Sequence, residues 1–362
     1  MMREAGVEKW RLIDTGLRNA AENIALNRAL LEARRKGESP NTLRFLQFTP
    51  SALLGFHQSA EQELNLDYCR EHGIAVQRRI SGGGAIFFDE TQIGWELYLG
   101  RQSLGTANME EITRRICEAA ASGMRMLGVD AQFRPRNDIE VGGRKISGTG
   151  GVFDGDGLMF QGTLLVQFDV EKMLRVLRIP VEKLSGKAIA SARERVANLA
   201  DLLGYVPPLS SVKSALSEGF SRAFFARMET GELSELEQGY FESALGEIDS
   251  PEWVNLVHRP ASELPMREAT EKFPGGLLRV ALSYDETRKR IGQVWFTGDF
   301  FVMPARTIND LEAALKQVAE DQVEIVVNAF FHGREVDMLQ IKPLDFVVLI
   351  RQALASAPPS AS

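Results

Sequence analysis

Cysteine is nearly absent from this chain of 362 residues: Cys69 and Cys117 are the only two. That scarcity excludes a disulfide framework and a cysteine-based zinc site, and makes a reducing cytoplasm the expected location. Histidine is almost as rare. His57, His72, His258 and His332 are all there is, and none stands in the nucleophile-elbow context that a Ser-His-Asp hydrolase needs. No apolar run reaches the roughly 18–20 residues of a membrane helix, so no membrane partner is expected. The first ten residues lack the apolar stretch of a secretory signal. Basic residues are not in excess either: 42 Lys and Arg stand against 49 Asp and Glu, a net charge of −7. A general nucleic-acid coat is thereby disfavoured, and no nucleic-acid partner is expected.

What is present is ordinary globular composition, 44% apolar and 25% charged, at a length that suggests one large domain and a smaller one. Short strands interleave with helices, which implies an α+β fold. The spacing of Leu26, Ala29, Leu30 and Ala33 predicts a helix over Ala20–Arg35. A second amphipathic helix is expected at Met109–Leu127, with Ile112, Ile116 and Ala120 on one face. Strands are expected at Leu43–Phe48 and Ala52–Gly55, and a hairpin turning at Gly142–Gly143 within Asn137–Phe153. A helix is expected from Ser211 to about Met228. A boundary near 249–260 divides residues 1–250 from a small α/β module at 251–356, and residues 357–362 read as a disordered tail.

Three stretches carry candidate chemistry. In Arg78-Arg79-Ile80-Ser81-Gly82-Gly83-Gly84-Ala85-Ile86-Phe87-Phe88-Asp89, three consecutive glycines need a reason, and close approach of backbone to a ligand is one. The run matches neither G-x-G-x-x-G nor G-x-x-x-x-G-K-[ST], and β-type residues rather than a helix follow it. What remains is a loop entering a strand, with two arginines suited to an anion and exposed N–H groups able to add a nest. A glycine-rich hairpin with surface arginines is the competing view. In the second stretch, Asn137-Asp138 precedes Gly142-Gly143-Arg144-Lys145-Ile146-Ser147-Gly148. Lys145 can point into a cleft and neutralise a carboxylate or phosphate, while Asp138 can hold a magnesium ion. In the third, Glu171 to Arg195 holds seven basic and three acidic residues. Lys187, Arg193 and Arg195 sit in or beside small residues, as in a mobile loop closing over an anion. A solvated basic face is the alternative there.

Taken together, these stretches resemble the lipoate–protein ligase family within the biotin/lipoate ligase fold. Gly162-Thr163-Leu164-Leu165 and the run from Lys187 to Leu199 continue the match in order. The resemblance covers about residues 10–225, and more loosely a ligase-type accessory domain in which Gly276, Gly292 and Gly298-Asp299-Phe300 fit. It implies a catalytic domain of mixed and antiparallel sheets flanked by helices. It also implies an ATP-dependent reaction that activates lipoic or octanoic acid as an acyl-adenylate and passes it to a lysine of a lipoyl carrier protein. By the same resemblance, Lys145 contacts the reacting carboxyl and α-phosphate, and Arg79 with the Gly84, Ala85, Ile86 and Phe87 backbone holds the nucleotide. Gly82 and Gly83 help form the acyl pocket, and Asp138 is the magnesium ligand. Asn137, Ser147, Gly148, Lys187 and Arg193 complete the binding set, and a monomer is expected. Phe88 and Phe160-Gln161 depart from the family pattern and bear on acyl preference and carrier identity. The rival on the same fold is an octanoyl or lipoyl transferase between carrier proteins, cysteine-independent or working through a cysteine thioester. Here the segment Ala131–Asn137, where such a cysteine would stand, has none. A non-catalytic carrier-binding protein is a second rival.

Overall fold

The computed structural model describes residues 7–106, 108–178, 186–258 and 262–356. The chain divides into two compact units. The first comprises residues up to Leu53, Glu63–Ile80 and Ile86–Trp253; the second comprises Leu54–Gln62, Ser81–Ala85 and the chain from Val254 onward. The glycine run therefore belongs to the second unit, although in sequence it lies deep within the stretch expected to form the first.

The first unit opens with β1 (Glu8–Arg18), α1 (Ala20–Arg35), β2 (Thr42–Phe48) and β3 (Ser51–Leu54). The single turn α2 (Ala60–Glu63) falls almost wholly in the second unit; the first resumes with α3 (Leu66–Glu71), β4 (Ala75–Arg78), β5 (Ile86–Phe88) and β6 (Gln92–Gly100). The short α4 (Arg101–Leu104) leads to the long α5 (Met109–Met126). Next are β7 (Ala131–Arg134), β8 (Asp138–Val141), β9 (Arg144–Asp154) and β10 (Gly157–Leu165). Helices α6 (Val170–Val176), α7 (Gly186–Arg193), α8 (Leu199–Leu203) and α9 (Leu209–Phe224) follow, then β11 (Ala226–Thr230), α10 (Glu235–Ile248) and α11 (Pro251–Val254). Eight strands form one mixed sheet in the order β11-β1-β2-β6-β10-β9-β8-β7, and β4-β3-β5 form a second. In the eight-stranded sheet β1 pairs in parallel with both β2 and β11. This is the α+β architecture of mixed sheets and flanking helices that the sequence implies.

Helix α1 starts where its cap dictates. The Asn19 side chain accepts from the Glu22 N–H, and Glu22 reaches back to the Asn19 N–H, closing a capping box. Asn27, which interrupts the apolar pattern, is buried and donates to Glu96 (2.6 Å) and to the Tyr98 hydroxyl (3.0 Å). Arg44 completes this core network, 2.9 Å from Glu96. Buried charge of this kind is tolerated only when every partner is supplied.

The second unit adds β12 (Met266–Phe273), β13 (Gly276–Asp285), β14 (Arg290–Asp299), β15 (Val302–Met303), α12 (Thr307–Ala314), α13 (Val323–Phe331), β16 (Asp337–Met338) and α14 (Pro343–Ala355). Strands β12-β13-β14 form an antiparallel meander. Its apolar face, with Leu278, Val280, Phe296 and Phe300, packs with Leu311, Val327 and Phe346 in one core.

Several elements differ from expectation. The helix expected to run to Met228 stops at Phe224, because Phe225 takes a left-handed conformation (φ 51°) and the chain then pairs with β1. Residues 186–193, expected as a mobile loop, are helical. Strand β12 and helices α10 and α13 were not anticipated. Lys183 and residues 357–362 lie outside the described residues. Among the described residues no helix is long and apolar enough to cross a membrane.

Candidate active site

The lysine motif sits on the hairpin β8–β9. Its turn residues Gly142 and Gly143 have φ of 56° and 75°, the double positive φ of a tight type I′ turn that matches strand twist. The pairing then slips: Ile139 faces Ser147, but Glu140 faces Lys145. Ile146 is the extra residue of a bulge, and a bulge re-aims the side chains that flank it. Lys145 therefore shares a face with Gly148 instead of Ser147. A Cβ on Gly148 would lie 2.8 Å from the Lys145 ammonium. Lys145 Nζ lies 2.7 Å from Asp138 Oδ1, and both side chains keep partial solvent access. The Lys145 backbone is fixed from the other side as well. Its N–H donates to the Arg195 carbonyl (2.9 Å), and its carbonyl accepts from the Ala197 N–H (2.8 Å).

Asn137 acts as a clamp. Its carbonyl accepts from the Thr149 N–H and hydroxyl, while its side-chain amide donates to the Thr149 carbonyl. Ser147 points the other way, fully buried, with no hydrogen-bond partner for its hydroxyl among the described residues. Behind the hairpin, Cys117 Sγ lies 3.4 Å from the Thr149 hydroxyl. Burial pushes the Cys117 thiol up to about 12, and it raises Cys69 too. Both thiols are inaccessible, whereas a reactive cysteine needs exposure and a lowered pKa.

The basic segment reaches the hairpin through that Arg195–Ala197 pairing. Arg193, at the end of α7, sits 3.5 Å from Glu171 on α6. Lys187 lies in α7, and its side chain falls outside what is described. Nearby, Lys172 Nζ stands 5.0 Å from the Phe87 ring centroid and 3.9 Å from Asp89.

The two arginines before the glycine run are buried. Arg78 donates from Nε to the Trp253 carbonyl (3.1 Å), and the Trp253 indole N–H donates back to the Arg78 carbonyl (3.0 Å). Burial lowers the Arg78 guanidinium to about 10. Arg79 donates to the Leu53 carbonyl at 2.9 Å. Ile86 and Phe87 belong to β5 in the first unit. Gly82, Gly83 and Gly84, with Ala85, are seated in the second unit, against its Asp299–Phe301 segment.

The structure thus unites Lys145, Asp138, Asn137 and Gly148 on one hairpin and brings the backbone of Arg195–Ala197 to them. Sequence reasoning missed the Arg195–Ala197 pairing and the seat of the glycine run. Neither has a local signal, since each joins residues 50 to more than 200 positions apart.

A mixed-sheet fold with a lysine–aspartate pair on a glycine-turned hairpin, in a chain that also carries Arg-Arg-x-Ser-Gly-Gly-Gly, fits an enzyme of the lipoyl ligase and transferase class. The model of the lipoyl protein ligase A/B catalytic domain matches residues 19–221, and the chain belongs to that family. Lipoate-protein ligase A subunit 1 of Thermoplasma acidophilum is 29% identical over 248 residues, which are 66% of this chain and 92% of that protein. Octanoyltransferase LipM of Kyrpidia tusciae is also 29% identical, over 68% of this chain and 98% of its own. Among solved structures, the bipartite T. acidophilum lipoate protein ligase superposes with a TM-score of 0.61 at 27% identity, covering 70% of this chain and 100% of that one. Lipoate-protein ligase A bound with ATP gives 0.58 at 25%, covering 69% and 99%. P. falciparum LipL1, in complex with lipoate, gives 0.70 over 96% of this chain and 99% of its own; at 15% identity it speaks for the fold alone.

Proposed function

We propose that this chain is an ATP-dependent lipoate–protein ligase. It joins lipoic or octanoic acid to a lysine of a lipoyl carrier protein through an acyl-adenylate. The observation that carries the choice of ligase over transferase is the state of the thiols. A thioester route needs a reachable thiolate, and Cys117 and Cys69 are both buried with raised pKa.

The chemistry follows from the groups at hand. The acid's carboxylate oxygen attacks the α-phosphorus of ATP. The bond to the β-phosphate bridging oxygen breaks, and pyrophosphate leaves. The carrier amine then attacks the acyl carbon, AMP leaves, and the amine proton passes to solvent. Carboxylate and phosphate repel each other, so a cation fixed between them is worth most where negative charge gathers. Lys145 supplies that cation. Its partner Asp138 and its doubly bonded backbone hold it in place before substrate arrives, and Asn137 holds the hairpin. Gly148 leaves room for the ammonium. Arg79 and the Gly84–Phe87 backbone take the nucleotide, Gly82 and Gly83 border the acyl chain, and Lys187 and Arg193 belong to the segment that covers the adenylate. The Ser147 side chain points away from Lys145, so its contribution is packing behind the strand.

Among the described residues no group of three or more acidic, histidine or cysteine side chains could hold a resident metal. One free oxygen on Asp138 fits a magnesium ion that arrives with nucleotide phosphates, since such an ion commonly takes one or two carboxylates. When bound, that ion would neutralise phosphate charge.

The test is the intact mass of a lipoyl carrier domain after incubation with this protein, Mg-ATP and either acid. The expected result is an ATP-dependent gain of one acyl group, reduced at least ~100-fold by Lys145→Ala, and kept when Cys69 and Cys117 are both serine. Transfer from an acylated carrier without ATP, lost in the double serine variant, would instead establish the transferase.

A further inference from the structure

The glycine run invites a ligand-based explanation, but its immediate neighbours are protein. Within the second unit, a Cβ on Gly82 would lie 2.3 Å from the Phe300 carbonyl oxygen, a distance no real contact shows. The Gly83 N–H donates to that same oxygen at 3.1 Å. A Cβ on Gly84 would stand 3.2 Å from the Asp299 carboxylate. On the far side, a Cβ on Gly55 would strike the Gly83 carbonyl at 1.8 Å. One short segment, Asp299-Phe300, thus walls all three glycines, and Gly83 is held at φ 92° between it and Gly55.

The wall itself is anchored. Phe300 is fully buried in the core of the second unit. The buried His57 ring stacks on it, with centroids 4.8 Å apart and planes 9° from parallel. The His57 carbonyl accepts from the Gly298 N–H at 3.1 Å, and the Thr297 hydroxyl donates to Gln62 at 2.9 Å. The strand end that carries Phe300 is therefore tied to residues 57–62 at three points.

We propose that Phe300, braced by His57, is a positioning residue for the glycine loop. Its carbonyl pins Gly82-Gly83 in one conformation, so that the donors that follow are set before any ligand binds. Three free glycines would lose more backbone entropy on binding than any other tripeptide. A loop already pinned spares the ligand that cost, and preorganisation is gained as affinity. The reading deepens the proposed function and rests on the glycine loop serving the nucleotide and acyl chain.

The test separates the two. Amide hydrogen exchange of the full chain reports on the loop whether or not the protein is a ligase. In the native protein the Gly82–Ala85 amides should exchange slowly without ligand. His57→Ala should speed them about tenfold while α13 and α14 keep their protection. The same variant should raise the KM for ATP several-fold with kcat little changed, and His57→Phe, which keeps the stack, should restore both. Gly82→Ala, which drives a Cβ into the Phe300 carbonyl without touching the core, should release the loop as His57→Ala does. Fast exchange in the native loop, unchanged exchange in either alanine variant, failure of His57→Phe to restore, or loss of protection throughout the second unit would overturn the proposal. Absence of ATP-dependent acylation by the native chain would overturn the proposed function and leave the exchange result standing.

Discussion

The chain has two conspicuous glycine stretches, and they use glycine for opposite reasons. At Gly142-Gly143 nothing lies within 4 Å of where either Cβ would be, and both residues have positive φ. These glycines answer to backbone conformation alone. At Gly82-Gly83-Gly84 only the middle residue has positive φ, and the flanking positions are walled by backbone or carboxylate. Those glycines answer to space. In sequence the two stretches look alike. What separates them is the 299–301 segment, more than 200 residues away. A glycine run is evidence that something approaches closely, but not that the thing is a ligand.

The sharpest way to break this comparison is to add one methyl group to each side of it. Gly55→Ala places a Cβ 1.8 Å from the Gly83 carbonyl. Backbone on both sides cannot rotate away, so the loop or strand β3 must shift, and a loss of about 2 kcal/mol or more is expected in urea unfolding. A loss below about 0.5 kcal/mol, the range of a neutral surface change, would mean that the glycine loop is loosely held.

A second difference concerns pH. The docked loop rests on β14, whose Phe296 N–H donates to Glu312 at 2.8 Å. Burial raises the Glu312 carboxyl to about 7, against an ordinary value near 4.5, despite that bond. The folded state holds the proton more tightly than the unfolded chain, so the stability linked to Glu312 is greatest below about 4.5 and falls as pH rises to about 7. For a side chain that retains some exposure the fall is on the order of 2 kcal/mol. Unfolding of the second unit should show it between pH 4.5 and 7, and Glu312→Gln should flatten the curve. A variant with the same slope as the native protein would assign the dependence elsewhere.

The parts that were legible in sequence were local. Apolar spacing marks α1 and α5, and Gly142-Gly143 marks the hairpin, so each element could be read within one window of chain. Helix α9 misled because it ends on Phe225, a residue that gives no stop signal in place of the usual glycine. Strand β12, Met-Arg-Glu-Ala-Thr-Glu-Lys-Phe, hides because every position keeps some exposure and the apolar alternation is broken. Of the site, the residue types on the lysine hairpin were legible and their directions were not. The bulge at Ile146, which turns Lys145 toward Gly148 and Ser147 away, depends on the register of a partner strand. The burial of Arg78 against Trp253 depends on a contact across 175 residues.

Gly148 tests a third use of glycine, room for a functional group. A Cβ there meets only the end of the Lys145 side chain, which can swing aside, so Gly148→Ala should change stability by less than about 0.5 kcal/mol. It should nevertheless move the ammonium off Asp138 and lower acyl transfer about tenfold, the scale of a misplaced charge. Equal losses of stability and activity would place the cost in the sheet rather than at the lysine.

The smallest effect is expected at the turn. Asparagine tolerates positive φ and is favoured in type I′ turns, so Gly142→Asn should stay within about 0.5 kcal/mol of the native protein in thermal or urea unfolding. Its activity should also match, because the Cβ enters open space and the Lys145 backbone is held independently by Arg195 and Ala197. Gly142→Val at the same open site should cost roughly 1–2 kcal/mol, since a branched side chain resists positive φ. If asparagine and valine cost the same, the requirement at the hairpin is space after all, and the two glycine stretches do not differ in the way their geometry indicates.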